Sequence, residues 1–202
     1  MAPVAITGDA EADALLDRDP FALLAGMLLD QQFPMERAFA GPATIVRRLG
    51  ADRLDPRTVA DADPQGFADL CATPPAVHRY PGSMAGRLQA LARTVVDDYD
   101  GDAAAIWEQA ASGAELLARL KALPGFGETK AAIFLALLGK QRGVRPRGWK
   151  QAAGDYAEAR SFRSVADVVD PASLAKVRAF KQAQKARKAQ KDAPQAQQQA
   201  QT

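Results

Sequence analysis

Apolar residues recur along most of the chain with the three- and four-residue spacing of an amphipathic helix. The pattern is clear over residues 23–28 and again over residues 88–95, where the apolar positions fall on one helical face. No stretch shows the strict alternation, flanked by turn residues, that is typical of a β-strand. We therefore predict an all-α fold of about nine to eleven helices.

Aspartates followed by proline mark the predicted helix starts. Aspartate is a favoured N-cap, and proline is well tolerated at the first helical position. Asp102 predicts a further start without proline, and Ser83 is predicted to cap a helix over residues 84–99. The four pairs are Asp19-Pro20, Asp55-Pro56, Asp63-Pro64 and Asp170-Pro171.

Residues 120–131 place a Gly-x-Gly sequence between two helical patterns. Pro124 is predicted to end the first helix, because its ring and missing N–H cannot continue the hydrogen-bond ladder. Gly125 and Gly127 allow backbone angles closed to other residues and carry no Cβ to obstruct a ligand. The second helix is predicted over residues 128–139.

A hairpin of this kind can present backbone N–H groups to an anion. The first N–H groups of a helix have no partner within it, and the helix dipole favours negative charge there. Such a contact to phosphate is blind to base sequence. An ordinary helix–turn–helix corner is the alternative, but the whole string Leu-x-x-Leu-Pro-Gly-Phe-Gly resembles the helix-hairpin-helix motif of DNA-binding and DNA-repair proteins, and this resemblance favours DNA contact. The predicted backbone-contacting residues are Leu123, Gly125, Phe126, Gly127, Thr129 and Lys130.

The composition, with 48% apolar and 25% charged residues, is typical of a soluble globular protein. No apolar run approaches the roughly 20 residues that cross a bilayer, and the N-terminus lacks a secretion-signal pattern, so we expect a cytoplasmic protein. Cys71 is the single cysteine and His78 the single histidine. This excludes an internal disulfide and a four-cysteine iron–sulfur cluster, and we expect no metal and no cofactor.

The net charge of +2 conceals a strong asymmetry. Residues 1–139 carry 12 basic and 19 acidic residues, a net charge of −7, whereas residues 140–202 carry 14 and 5, a net charge of +9. A basic segment after the hairpin suits a polyanionic partner. From Lys181 onward the chain has no large apolar side chain, so residues 181–202 are predicted to be a disordered tail or a frayed helix.

The hairpin and the helical pattern together resemble the helix-hairpin-helix DNA glycosylase superfamily, which includes endonuclease III, adenine glycosylase and the alkylbase glycosylases. The resemblance implies a two-lobed helical bundle over residues 1–180, with a cleft between the lobes. The helical barrel with the hairpin would span about residues 20–140, and residues 1–19 and 141–180 would form the second lobe. It also implies a monomer that binds damaged double-stranded DNA.

The string Leu28-Leu29-Asp30-Gln31-Gln32 resembles the helix and loop from which these glycosylases insert a polar side chain into the gap left by an extruded base. The resemblance implies that Gln32, or else Gln31, is this wedge, because glutamine can both donate to and accept from the orphaned base. The alternative is that both are exposed polar residues at the end of a helix.

His78-Arg79-Tyr80 occupies the place of a turn that enters a cleft helix in these proteins. Arg79 could bind phosphate and Tyr80 could stack on a base. An unperturbed imidazole titrates near neutrality, so His78 is a candidate catalytic group, with capping or packing as the alternative.

The sequence departs from the superfamily at the catalytic acid. Active members carry an aspartate about twenty residues past the hairpin, where it stabilises positive charge on the sugar, but that count falls on Arg147. Asp155 could serve if residues 143–154 fold back towards the hairpin. The lysine that forms a Schiff base in bifunctional members is replaced by Thr129, with Lys130 one position later. We therefore expect no strand-cleaving activity.

Trp149 and Tyr156 lie in the glycine- and proline-rich segment that follows. They could form aromatic walls for an extruded base, or they could anchor a long loop to the core. Three functions stay open: a monofunctional DNA N-glycosylase, a non-catalytic binder of distorted or damaged duplex, and an all-α interaction module with no nucleic-acid role.

Overall fold

The computed structural model describes residues 4–199, and the side chains of residues 4–187. The described residues form eleven α-helices and no β-strand, and 68% of the chain is helical, as the apolar spacing predicts. The helices are α1 (Ala10–Arg18), α2 (Pro20–Leu29), α3 (Met35–Leu49), α4 (Pro56–Asp61), α5 (Pro64–Ala72), α6 (Pro81–Tyr99), α7 (Ala105–Glu108), α8 (Gly113–Ala122), α9 (Glu128–Gln141), α10 (Trp149–Ala153) and α11 (Pro171–Gln199).

All four Asp-Pro pairs begin helices, as predicted. The carboxylates of Asp19, Asp55 and Asp63 accept hydrogen bonds from the first-turn amides of α2, α4 and α5. The prediction for Ser83 is wrong, because α6 begins two residues earlier, at Pro81. Proline at the first helical position has set that boundary. Asp102 accepts from the Ala104 amide at 2.9 Å, just ahead of α7.

Helix α2 lies at the centre of the core. Every residue from Phe21 to Leu29 is buried, which is the signature of a helix that is covered on all sides. It packs on α3 and contacts α1 and α6, while α4 and α5 pack on α6. Trp107 is also buried in the core, with its ring edge-on to Phe134.

Helices α8, α9 and α10 pack on one another and form the part of the molecule that carries the hairpin. Two short 3-10 turns, Gly154–Ala157 and Val165–Asp167, pack against α9. Ser164 caps the second of these, because its side chain accepts a hydrogen bond from the Ala166 amide. In the described part of the chain, no helix is long and apolar enough to cross a membrane.

Helix α11 continues from Pro171 to Gln199, across the predicted boundary between a domain and a disordered tail. Alanine, glutamine, lysine and arginine all have high helix propensity, so this composition supports a helix even without apolar residues to bury. Residues 1–3, and residues 200–202 at the end of the predicted tail, lie outside the described residues. The division into a domain over 1–180 and a tail over 181–202 stays a prediction.

Candidate nucleic-acid interface

The hairpin between α8 and α9 is held to the core by two apolar side chains. Helix α8 ends at Ala122, directly before Leu123-Pro124, as predicted. Leu123 and Phe126 are buried, and the Phe126 ring packs edge-on against Phe134 at 5.9 Å between ring centroids. Their side chains therefore anchor the turn, and the DNA contact predicted for these two residues stays a prediction that concerns their backbone atoms.

The two hairpin glycines differ in backbone conformation and in the space around them. Gly125 has a φ of +79°, and a Cβ there would lie 2.4 Å from Leu28 Cδ1, so this residue fits the hairpin against α2. Gly127 has an ordinary extended backbone, and a Cβ there would meet nothing within 4 Å. Only Gly127 keeps open space in front of the first turn of α9, whose amides receive no side-chain cap.

Lys130 points beneath the hairpin. Its ammonium donates to the Met27 and Leu28 carbonyls, both at 2.8 Å, and so caps the C-terminal end of α2. Burial lowers the pKa of Lys130 to about 8, with Arg87 acting in the same direction and Asp30 opposing it. The phosphate contact predicted for Lys130 stays a prediction, and this geometry favours a structural role.

The loop after α2 separates the two glutamines. The Gln31 side chain donates to the Leu28 carbonyl at 2.8 Å and accepts from Arg87 at 2.9 Å. Gln32 is exposed, with a φ of +50°. A left-handed backbone at a non-glycine residue costs energy and is enriched at functional positions. This geometry favours Gln32 over Gln31 for the wedge role, which stays a prediction.

His78 is 2% exposed and holds this loop. Its Nε2 donates to the Gln31 carbonyl at 2.9 Å, and its Nδ1 accepts from the Tyr80 amide at 3.0 Å. A carbonyl can only accept and an amide can only donate, so the ring is neutral with its proton on Nε2. Both nitrogens are occupied by backbone groups, which favours a structural role over the predicted catalytic one.

Cations and aromatic rings lie around the exposed Gln32 side chain. Arg79 lies over the half-exposed Tyr80 ring at 5.3 Å, and Arg37 lies over the Phe33 ring at 4.8 Å. A cavity of about 360 Å³ opens beside them and is lined by Gln31, Gln32, His78, Tyr80, Ser83, Met84 and Arg87. Its lining contains no acidic residue, so the surface suits a nucleic-acid strand.

The segment after α9 folds back towards the hairpin through α10. Helix α10 packs on both α8 and α9, and the turn that follows carries Asp155 and Tyr156 to the first turn of α9. Together with Thr129 they line a groove of about 570 Å³, which α11 borders with Phe180, Lys181 and Gln184. We call this the α9–α11 groove. The fold-back that Asp155 requires is therefore present.

Asp155 is 84% exposed and pairs with Arg163 at 2.8 Å. Arg163 also pairs with Glu158 at 2.7 Å. Arg147, which stands where the sequence count expects an acid, lies elsewhere. Its carbonyl accepts from the Gly113 amide at the start of α8, about 15 Å along that helix from the hairpin.

The two aromatic candidates have different positions. The Trp149 ring packs so closely on Gly139 that a Cβ there would lie 2.4 Å from it, so Trp149 anchors the segment to α9. Tyr156 is half-buried and lines the α9–α11 groove, where a base could reach it.

Lys181 and Arg163 border the groove but were not predicted. Lys181 pairs with Asp30 at 3.4 Å, and Asp30 directly precedes Gln31 and Gln32. The Lys181–Asp30 contact joins residues 151 positions apart in the sequence, and the charge of Arg163 does not differ from that of a solvated surface residue. No pattern in the sequence could have identified them.

The helical fold, the uncapped amides at the start of α9 and the cations near Gln32 are features of helix-hairpin-helix proteins. The chain belongs to the HhH-GPD superfamily of base excision DNA repair proteins, whose family model matches residues 25–197. Repair proteins of this superfamily bind DNA. Neither a curated protein nor a solved structure matches the chain.

Proposed function

We propose that this protein is a monofunctional DNA N-glycosylase, which extrudes a damaged base from duplex DNA into the α9–α11 groove. One observation supports the proposal most strongly: Thr129, Asp155 and Tyr156 line the same groove beside the hairpin. In this account the amides at Gly127 hold the sugar–phosphate backbone, and Gln32 fills the gap in the base stack.

Asp155 supplies the negative charge that the reaction needs. Positive charge develops on the sugar as the base departs, and a carboxylate fixed nearby stabilises it. The ion pair with Arg163 at 2.8 Å orients that carboxylate. Tyr156 offers an aromatic face to the extruded base. Thr129 cannot form a Schiff base, and the Lys130 ammonium is engaged with α2, so the proposal includes no strand cleavage.

The test is base excision by full-length protein on duplexes that carry uracil, hypoxanthine, an alkylated purine or an oxidised base. We expect abasic product from at least one duplex, and a loss of about 100-fold in rate for Asp155→Asn, which is the size of effect seen when one charge-stabilising group is removed. Glu158→Gln is the matched control, because Glu158 shares Arg163 at 2.7 Å but does not line the groove. Unchanged excision by Asp155→Asn would contradict the role of Asp155.

One observation favours a second candidate, a non-catalytic binder of damaged duplex. Phe180, Lys181 and Gln184 of α11 border the groove, and Lys181 is tied to Asp30 at 3.4 Å, so α11 restricts the space left for a base. This candidate predicts duplex binding without abasic product from any of the four lesions.

A further inference from the structure

A second cavity lies at the other end of α9 from the hairpin. It encloses about 750 Å³ between the end of α9, α10, the loop over residues 157–162 and the start of α11. Helix α9 is about 21 Å long, and this cavity shares no lining residue with the α9–α11 groove. We call it the basic pocket, after its five lining cations Lys140, Arg145, Lys150, Arg160 and Lys176.

Both acidic residues that line the basic pocket accept hydrogen bonds from within the protein. Asp167 pairs with Lys140 at 2.5 Å and accepts from the Arg163 amide at 2.8 Å. Asp170 accepts from the Ser173 amide and hydroxyl, which hold the pKa of that carboxyl below its usual value. Within the described part of the chain, the remaining four cations form no ion pair with a carboxylate. Five cations face two carboxylates in this lining, and Lys176 is close enough to Asp170 to help lower the pKa of that carboxyl. The pocket therefore keeps a net positive charge that suits an anion.

The pocket also has two aromatic rings. Trp149 and Phe162 are both half-buried in its lining, and each carries a cation near its face, Lys150 at 5.9 Å and Lys176 at 4.5 Å. Arg160 at the rim has a φ of +59°, a strained backbone of the kind that is enriched at ligand sites. Half-buried rings beside cations suit a flat aromatic ligand that carries negative charge.

We propose that the basic pocket binds a nucleotide, with its phosphate between Lys150 and Lys176 and its base on the Phe162 ring. A volume of 750 Å³ is within the usual range for small-molecule sites. The same chemistry could come from a free nucleotide or from an unpaired nucleotide in a single strand. The inference does not depend on the proposed glycosylase activity.

The test is calorimetric titration of the full chain with deoxyadenosine monophosphate, a short oligothymidylate and tripolyphosphate. We expect the nucleotide or the oligonucleotide to bind, and the Lys150→Ala/Lys176→Ala variant to lose at least tenfold in affinity. Arg47→Ala/Arg93→Ala removes the same charge from exposed positions of α3 and α6 and should change nothing. Phe162→Leu keeps an apolar side chain but removes the ring, and it should weaken nucleotide binding with tripolyphosphate unaffected.

The arms of this experiment separate the outcomes. Binding of the mononucleotide would identify the ligand as a free nucleotide. Binding of the oligonucleotide alone would identify it as a nucleotide within a single strand. Either result supports nucleotide binding in the basic pocket. Three results would overturn it: no binding of either nucleotide probe at millimolar concentration, affinity unchanged in the double lysine variant, or an affinity that is indifferent to Phe162. Gly127→Val, which blocks the hairpin, should leave nucleotide binding intact, so a failure of the repair proposal stays distinguishable from a failure of this one.

Discussion

At the scale of single residues, the two hairpin glycines separate folding from recognition. Gly125 combines a left-handed backbone with contact to Leu28, whereas Gly127 combines an ordinary backbone with open space. The sequence presents them as equivalent members of one Gly-x-Gly motif. A substitution at Gly125 therefore reports on stability, and one at Gly127 reports on the ligand.

Gly125→Ala should lower the free energy of unfolding by about 1–3 kcal/mol. The added methyl group is strained at positive φ and overpacks the hairpin against α2. Denaturant unfolding followed by circular dichroism measures the change. Wild-type stability in this variant would mean that the contact between the hairpin and α2 is looser than described.

Lys130 gives the stability of the protein a pH dependence of known sign. Burial lowers the pKa of Lys130 to about 8 in the folded protein, against 10.5 for an exposed lysine. Between these values the unfolded chain binds more protons, so the unfolding free energy should rise with pH, by at most about 1.4 kcal/mol per pH unit. Below pH 8 this contribution is constant.

The measurement compares wild type with Lys130→Met at pH 7 and pH 9 in denaturant titrations. The variant removes the titrating group, so its stability should gain less between these two pH values than that of wild type. An equal gain in both proteins would show that Lys130 titrates as an exposed lysine does.

At the scale of elements, the sequence predicted those helices whose boundaries are set by local chemistry. The Asp-Pro pairs and Pro124 act through capping and steric exclusion, so the starts of α2, α4, α5 and α11 and the end of α8 could be read from neighbouring residues. Helix α10 escaped prediction, because its five residues lie among glycines and prolines and depend on packing against α8 and α9.

The same distinction between local and tertiary causes applies to the candidate site. The hairpin was predicted because its motif is contiguous, and the structure distinguished Gln32 from Gln31 through the hydrogen bonds of Gln31. His78 looked like a catalyst because imidazole chemistry is conspicuous in a sequence. Its burial depends on the packing of residue 78 against the loop at Gln31, 47 positions away in the sequence. Composition and local sequence patterns do not indicate this contact.

Helix α11 is held to α2 and α3 by side-chain ion pairs near their ends. Arg178 pairs with Glu36, and Lys181 pairs with Asp30. Replacing both cations with glutamine should cost under about 1 kcal/mol per pair, since each cation is largely exposed. Hydrogen exchange should quicken in α11 and stay unchanged in α2. Unchanged exchange in α11 would mean that apolar contacts alone hold this helix.

At the scale of the whole molecule, binding to DNA should follow the charge asymmetry of the chain. The net charge of +9 over residues 140–202 and the cations around Gln32 predict duplex affinity that falls steeply with salt, with a slope of about −0.9 per phosphate neutralised. Fluorescence anisotropy of a labelled duplex over a range of salt gives this slope. Salt-independent binding would argue against a phosphate-driven interface.

We propose that the open amides in front of α9 hold a DNA backbone, and the Gly127→Val variant probes this contact. A Cβ at this residue meets nothing within 4 Å and valine accepts its backbone angles, so the variant should stay folded, with a loss of about 1 kcal/mol because valine is a poor N-cap for α9. Duplex affinity should fall about tenfold, and the salt slope should shrink by about one phosphate contact. Wild-type affinity and slope in the folded variant would contradict the account.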